Sequence, residues 1–326
     1  MSVAATGKDQ RSKPDACSVI SDDAGASVLG TAPAATFWVA LEQNGPWGAR
    51  AATQSGLDPE VGMALERRCQ EAGGRFILIR RPGPHPGGRV GHPQRVYLAG
   101  GPADHPWMLQ ASLDDPSRLL RLPWAAALRE GDLAEVQDVV PELERSPTPV
   151  LLVCANSRRD ICCALRGRPV ALECSAQRPG RVWECSHTGG HRFAPTGVLL
   201  PHGQAFARLS GISAVAAVDA CARGEVPMEL LGTAYDRGRS HLAPPAQAAE
   251  SVVRQQIQEL ALLALSTTAR PQPGRENAWQ CRVSHLDGRQ WDVVAVRESG
   301  GQDRPESCGK APVPSWRWSV LTDFGR

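Results

Sequence analysis

Five of the ten cysteines, Cys154, Cys162, Cys163, Cys174 and Cys185, fall within one short stretch, and His187 and His191 follow directly. Thiols at this density either cross-link a small secreted scaffold or serve metal and redox chemistry. At 326 residues the chain is long enough to build cores without disulfides. Residues 1–16 carry Lys8, Asp9, Arg11, Lys13 and Asp15 with no apolar run, so no export signal is expected there. The longest apolar run, Leu260 to Leu265, is too short to cross a bilayer. A cytoplasmic location and reduced thiols are therefore expected, and a clustered set of reduced thiols points to metal or redox chemistry. Cys17, Cys69, Cys221, Cys281 and Cys308 share no spacing and read as buried structural thiols.

The histidine pair is separated by Thr188, Gly189 and Gly190. On a helix that spacing sets both rings on one face, but two central glycines disfavour a helix. A tight loop is expected, whose glycines let the backbone close around a bulky ligand. Cys154 ends an apolar strand, the edge where α/β proteins place ligands. The next thiols, Cys162 and Cys163, sit near a helix start, where free N–H groups favour thiolate. Neighbours on a helix point in different directions, so one of the two is expected to face the site and the other the core. Two cysteines and two histidines make a suitable donor set for a small metal centre. Structural zinc stays open as an alternative, although its cysteines usually lie two to four residues apart and eight separate Cys154 from Cys163. A thiol–disulfide exchanger is the other alternative, but the chain has no Cys-x-x-Cys.

Local patterns place these residues in a two-part chain. Residues 1–33 are small and polar and read as disordered. Residues 34–140 alternate strand and helix: strands at Thr36–Gln43 and Arg75–Arg81, a helix started by Asp58-Pro59, strands at Arg95–Ala99 and Trp107–Ser112, and a helix at Pro123–Glu130. His85 and His92 lie in a Pro/Gly-rich loop between them and read as solvated. Residues 146–265 repeat the theme: a buried strand ending at Cys154, a helix that Gly167 and Pro169 interrupt, a strand at Arg181–Cys185, a hairpin around His202-Gly203, a helix from Ser213, and a long helix over Ala246–Leu265. Residues 266–326 form an extension whose Asp287-Gly288 marks a hairpin. The expected fold class is α/β, with two thioredoxin-like domains in tandem: 34–140 as a degenerate copy and 146–265 as the copy carrying the site.

The block from Cys154 through Asp160-Ile-Cys162-Cys163 to Ser186-His187-Thr-Gly189-Gly190-His191-Arg192-Phe193 resembles the sucrase/ferredoxin-like family. So do Leu41-Glu-Gln-Asn-Gly-Pro-Trp47-Gly, Leu200-Pro201-His-Gly203, and Pro305-Glu-Ser-Cys308. The family is similar to thioredoxin-like ferredoxins. The resemblance implies a [2Fe-2S] cluster held by Cys154, Cys163, His187 and His191, and it is the resemblance that prefers Cys163 over Cys162. It implies an electron carrier rather than a catalyst. Imidazoles in place of thiolates imply a raised potential, as in Rieske centres, and a ring nitrogen left to titrate couples electron to proton transfer. No carboxylate pair supports glycoside hydrolysis, despite the family's name.

Net charge is only +2, which argues against a nucleic-acid partner. Between 158 and 192, however, seven arginines face only Asp160, Glu173 and Glu184. This reads first as a solvated face of an arginine-rich chain and second as a patch steering an acidic redox partner. Asp160 and Arg192 are candidates for contacts behind the ligands, or for a plain helix cap and surface ion pair.

Overall fold

The computed structural model describes residues 13–84, 93–124, 128 and 130–322. The loop with His85 and His92, and part of the helix expected at Pro123–Glu130, lie outside the described residues.

The fold is mixed α/β with one large sheet and one small one. In chain order the strands are β1 (Trp38–Glu42), β2 (Arg75–Arg80), β3 (Gln94–Gly100), β4 (Trp107–Leu113), β5 (Glu144–Arg145), β6 (Val150–Cys154), β7 (Val182–Cys185), β8 (Gly197–Leu200), β9 (Gln204–Phe206), β10 (Asp236–Arg239), β11 (Leu265–Pro271), β12 (Ala278–His285), β13 (Gln290–Ser299) and β14 (Trp316–Leu321). The helices are α1 (Cys17–Asp23), α2 (Pro59–Glu71), α3 (Leu133–Val139), α4 (Ile161–Gln177), α5 (Gly211–Ala222) and α6 (Pro244–Ile257).

The large sheet runs β10-β9-β8-β6-β7-β2-β1-β3-β4-β5. Its two halves repeat one connectivity. β1 lies parallel to β2 and antiparallel to β3, which pairs antiparallel with β4; β6, β7, β8 and β9 reproduce that arrangement. The halves, expected as tandem domains, thus share one continuous sheet through the short antiparallel seam of β2 and β7. At this seam Arg80 makes two hydrogen bonds, 2.8 and 2.7 Å, to one carboxylate oxygen of Glu184, and both residues are buried. Strands β1 and β6 are apolar almost throughout and buried, as interior strands covered on both faces must be. One core packs α2 and α3 against the first half, another packs α4 and α5 against the second, and a third crosses the seam around Trp38, Ile79, Trp183 and Cys185.

Three expectations need correction. Within 1–33, read as disordered, α1 forms and residues 28–35 hydrogen-bond to Thr233, Arg237 and Ser240, burying Val28 and Leu29. The composition is small and polar, but the backbone is satisfied by a neighbour rather than by water. Helix α4 runs unbroken through Gly167 and Pro169, because packing on β6 outweighs their weak propensity. The long helix ends at Ile257, where Gln258 turns left-handed (φ 54°), and Leu265 opens β11 instead. The hairpin expected around Asp287-Gly288 is β12–β13, and β11 and β14 extend it to four strands packed on α6.

Candidate metal centre

Strand β6 carries Cys154 to the sheet's edge, where it pairs in register with Cys185 of β7. The chain then turns through Asn156, and Asp160 caps α4 by accepting the N–H of Cys162 at 2.8 Å. The cap fixes the helix start, so Cys162 and Cys163 emerge on different sides. Gly167 lets the helix approach closely, since a Cβ there would lie 2.2 Å from the carbonyl oxygen of Cys154.

Cys163 is the member of the pair that turns toward Cys154, and the two pack in one buried cluster while Cys162 belongs to another. Cys163 Sγ lies 3.3 Å from Nδ1 of His191. His187 stands close enough to act on the Cys154 thiol, and the two imidazoles stack with centroids 4.7 Å apart. The four expected ligands therefore meet at one place. Both cysteines are buried and both histidines half-buried.

The histidine loop is a loop, as the glycines predict. Gly189 and Gly190 are left-handed (φ 73° and 74°), and a 3-10 turn, His191–Phe193, follows. Nothing lies within 4 Å of where a Gly189 Cβ would stand. Buried Arg237 donates to the Gly189 carbonyl at 3.2 Å and to Thr31, and Arg75 donates to the His187 carbonyl at 3.4 Å.

The Cys154 and Cys163 thiols are shifted in opposite directions. Cys163, helped by His187, pulls the Cys154 thiol well below its ordinary range against its burial. Cys154, with burial, pushes Cys163 up. Burial, then the charge of His187, holds His191 below the usual imidazole value. Thiolate is the ligating form of cysteine.

A second thiol group lies on the other side of α4's first turn, and the sequence reading missed it. Cys162 Sγ lies 3.1 Å from Cys308 and 3.7 Å from Cys17, and Cys308 lies 3.6 Å from Cys17. Asp160 adds a carboxylate oxygen 3.7 Å from Cys17. All four donor atoms fall within 4.8 Å of one another, close enough to hold a metal ion. Cys17 and Cys308, read as scattered structural thiols, are brought together from the two ends of the chain. No local spacing could reveal this; only the Pro305-Glu-Ser-Cys308 stretch, already part of the resemblance, marked one of them. Asp160 accepts from Ser307 and from the N–H of Cys308. These bonds outweigh its burial and keep its carboxyl below the ordinary range. A bond from Cys17 pulls Cys162 down to about 6, while burial and Cys162 push Cys308 up to about 11. Arg192 reaches Glu306 at 3.6 Å, beside this group.

Fold and site define a mixed α/β protein with thiols gathered around the start of one helix, where a metal ion can be held. The chain belongs to the sucrase/ferredoxin-like family, whose model matches residues 28–231. No curated protein and no solved structure matches the chain. No helix among the described residues is long and apolar enough to cross a membrane.

Proposed function

We propose that the chain is an electron carrier that holds a [2Fe-2S] cluster through Cys154, Cys163, His187 and His191. The observation that carries this reading is the meeting of two buried thiols from β6 and α4 with two stacked imidazoles from a Gly-Gly loop. The residues suit the group: Cys154 favours thiolate, Gly189 leaves open space, and buried Arg237 sets a positive charge near Cys154 and Cys163. The repeated strand order supports two copies of a thioredoxin-like unit, the second bearing the site. When bound, such a cluster exchanges one electron, at a potential raised by neutral imidazole ligands.

The chain's own residues do the rest. Arg237 and Arg75 fix the histidine loop by its carbonyls. His187 lines a cleft of about 130 Å³ with Arg50, Arg75, Arg159 and Glu66. This basic mouth fits the docking of an acidic redox partner, so electron transfer should slow as salt rises. A rate indifferent to salt removes the docking idea.

The test of the cluster is anaerobic purification with an absorption spectrum and iron and acid-labile sulfide analysis. A coloured protein with equal iron and sulfide, lost in Cys154→Ser and altered in His191→Cys, is the expected result. Zinc at these four residues without sulfide overturns it. A potential that falls with rising pH tests the proton coupling.

A further inference from the structure

We infer that Cys17, Cys162, Cys308 and Asp160 form a second, separate metal centre for a single tetrahedral thiophilic dication, zinc by its donor chemistry. The group stands apart from the four proposed cluster ligands and shares none of them. A buried carboxylate and the thiolate form of cysteine are costly to bury unless a cation compensates them, and here three thiols converge on one carboxylate. Cys17 and Cys162 are buried to 0% and 1% exposure and Asp160 to 4%.

Distances select a mononuclear ion. Zn–S bonds of ~2.3 Å at tetrahedral angles set sulfurs about 3.8 Å apart. The three sulfur pairs stand 3.7, 3.6 and 3.1 Å apart, so only Cys162 and Cys308 need to part to admit the ion. A second iron–sulfur cluster needs its cysteines spread around several irons. A disulfide uses two sulfurs and leaves the third with Asp160 in the same buried group. Asp160 accepts three hydrogen bonds from oxygen and nitrogen donors. A carboxylate offers about four lone-pair directions; Oδ2 accepts two of these bonds and Oδ1 one, so the direction left for the ion is on Oδ1, 4.0 Å from Cys17. Binding displaces the protons of the thiols into solvent and forms three Zn–S bonds and one Zn–O bond without any redox change.

The sources of the donors say what the ion does. Cys17 comes from α1, Cys162 from the first turn of α4 and Cys308 from the C-terminal extension, with 145 and 146 positions between the bonded pairs. The ion ties both ends of the chain to α4 next to Cys163. Occupancy therefore fixes the direction in which Cys163 leaves the helix, toward Cys154 and His191.

The full chain is purified anaerobically with reductant, stripped with chelator, and titrated with zinc and with cobalt(II) as an optical probe. Cys154→Ser should still take up one zinc per chain and give the intense tetrahedral cobalt–thiolate spectrum, whatever becomes of the iron. Cys308→Ser, at the most exposed of the three thiols, should lose that spectrum and at least about 100-fold in zinc affinity, since even outer contacts are worth 10–100-fold. Cys17→Ser should do the same, and far-UV circular dichroism checks that each variant folds. Zinc uptake unchanged in Cys308→Ser overturns the proposal. So does no uptake by the stripped protein, sulfide retained at this group when Cys154→Ser has lost its cluster, or a Cys162–Cys308 disulfide in the anaerobic protein.

Discussion

At Gly167 a single hydrogen atom decides how near α4 can come to Cys154. A methyl group there meets a backbone oxygen at 2.2 Å, and backbone cannot rotate away as a side chain can. Gly167→Ala should cost ~1–3 kcal/mol of overpacking, read as a lowered denaturant midpoint. Because the shift separates Cys163 from Cys154, the variant should also lose the proposed cluster faster than wild type; an unchanged midpoint and unchanged cluster retention contradict the close approach. Arg237 poses the complementary case, a charge instead of a shape. Burial, with Arg192 and Arg75, pulls its guanidinium below the ordinary arginine range, and Cys154 and Cys163 pull the other way. Arginine nevertheless stays charged at neutral pH. Arg237→Gln should therefore lower the reduction potential of the proposed cluster, while Arg237→Lys, which keeps the charge and loses the fork, should lower it less. Equal potentials in all three proteins would falsify an electrostatic role for this residue.

Among the elements, the seam between β2 and β7 joins the halves through only two registered pairs, Ile79 with Cys185 and Arg80 with Glu184. Burial dominates both charges: it lowers the arginine and raises the glutamate despite their attraction. Such a pair adds little net stability, yet breaking it leaves a buried charge uncompensated. Glu184→Ala should cost ~3–5 kcal/mol, and Arg80→Met with Glu184→Leu should recover most of it; a double variant as unstable as the single one refutes this account. Nothing in the sequence announced the seam, because strand pairing across halves depends on edges that local patterns do not encode. What local patterns encode was legible: the Asp58-Pro59 start of α2, the buried run of β6, the Gly-Gly loop and the Asp287-Gly288 hairpin. The same limit explains the second thiol group. Cys154, Cys163, His187 and His191 come from neighbouring segments and announce themselves by density. Cys17 and Cys308 become neighbours only when α1 and the C-terminal extension fold onto α4.

For the whole molecule, acid resistance depends on imidazoles that the fold keeps neutral. His202 and His241 flank the hairpin end of the large sheet, and burial, with the charge of Arg239, holds each down to about 4. Nδ1 of His202 and Nε2 of His241 are buried without a hydrogen-bond partner among the described residues. In the unfolded chain both titrate near the ordinary value of 6.5. Between those values the unfolded state therefore binds more protons than the folded one, and stability must rise with pH. The contribution is fully present above 6.5 and is lost as pH falls toward about 4. A shift of this size corresponds to ~3 kcal/mol for each histidine taken alone. Denaturant unfolding followed from pH 7 to pH 4 should show this loss as a falling midpoint. His202→Gln and His241→Gln remove the titrating groups, so each should flatten the curve while lowering its neutral-pH plateau by whatever packing the ring supplied. If both variants keep the wild-type slope, the acid sensitivity between pH 7 and pH 4 belongs to other titrating groups; the buried Glu250 carboxylate acts in a lower pH window. Paired at 2.7 and 2.6 Å with Arg239, it is held below its ordinary range against its burial, and its contribution is lost only at lower pH, as the carboxylate itself takes up a proton.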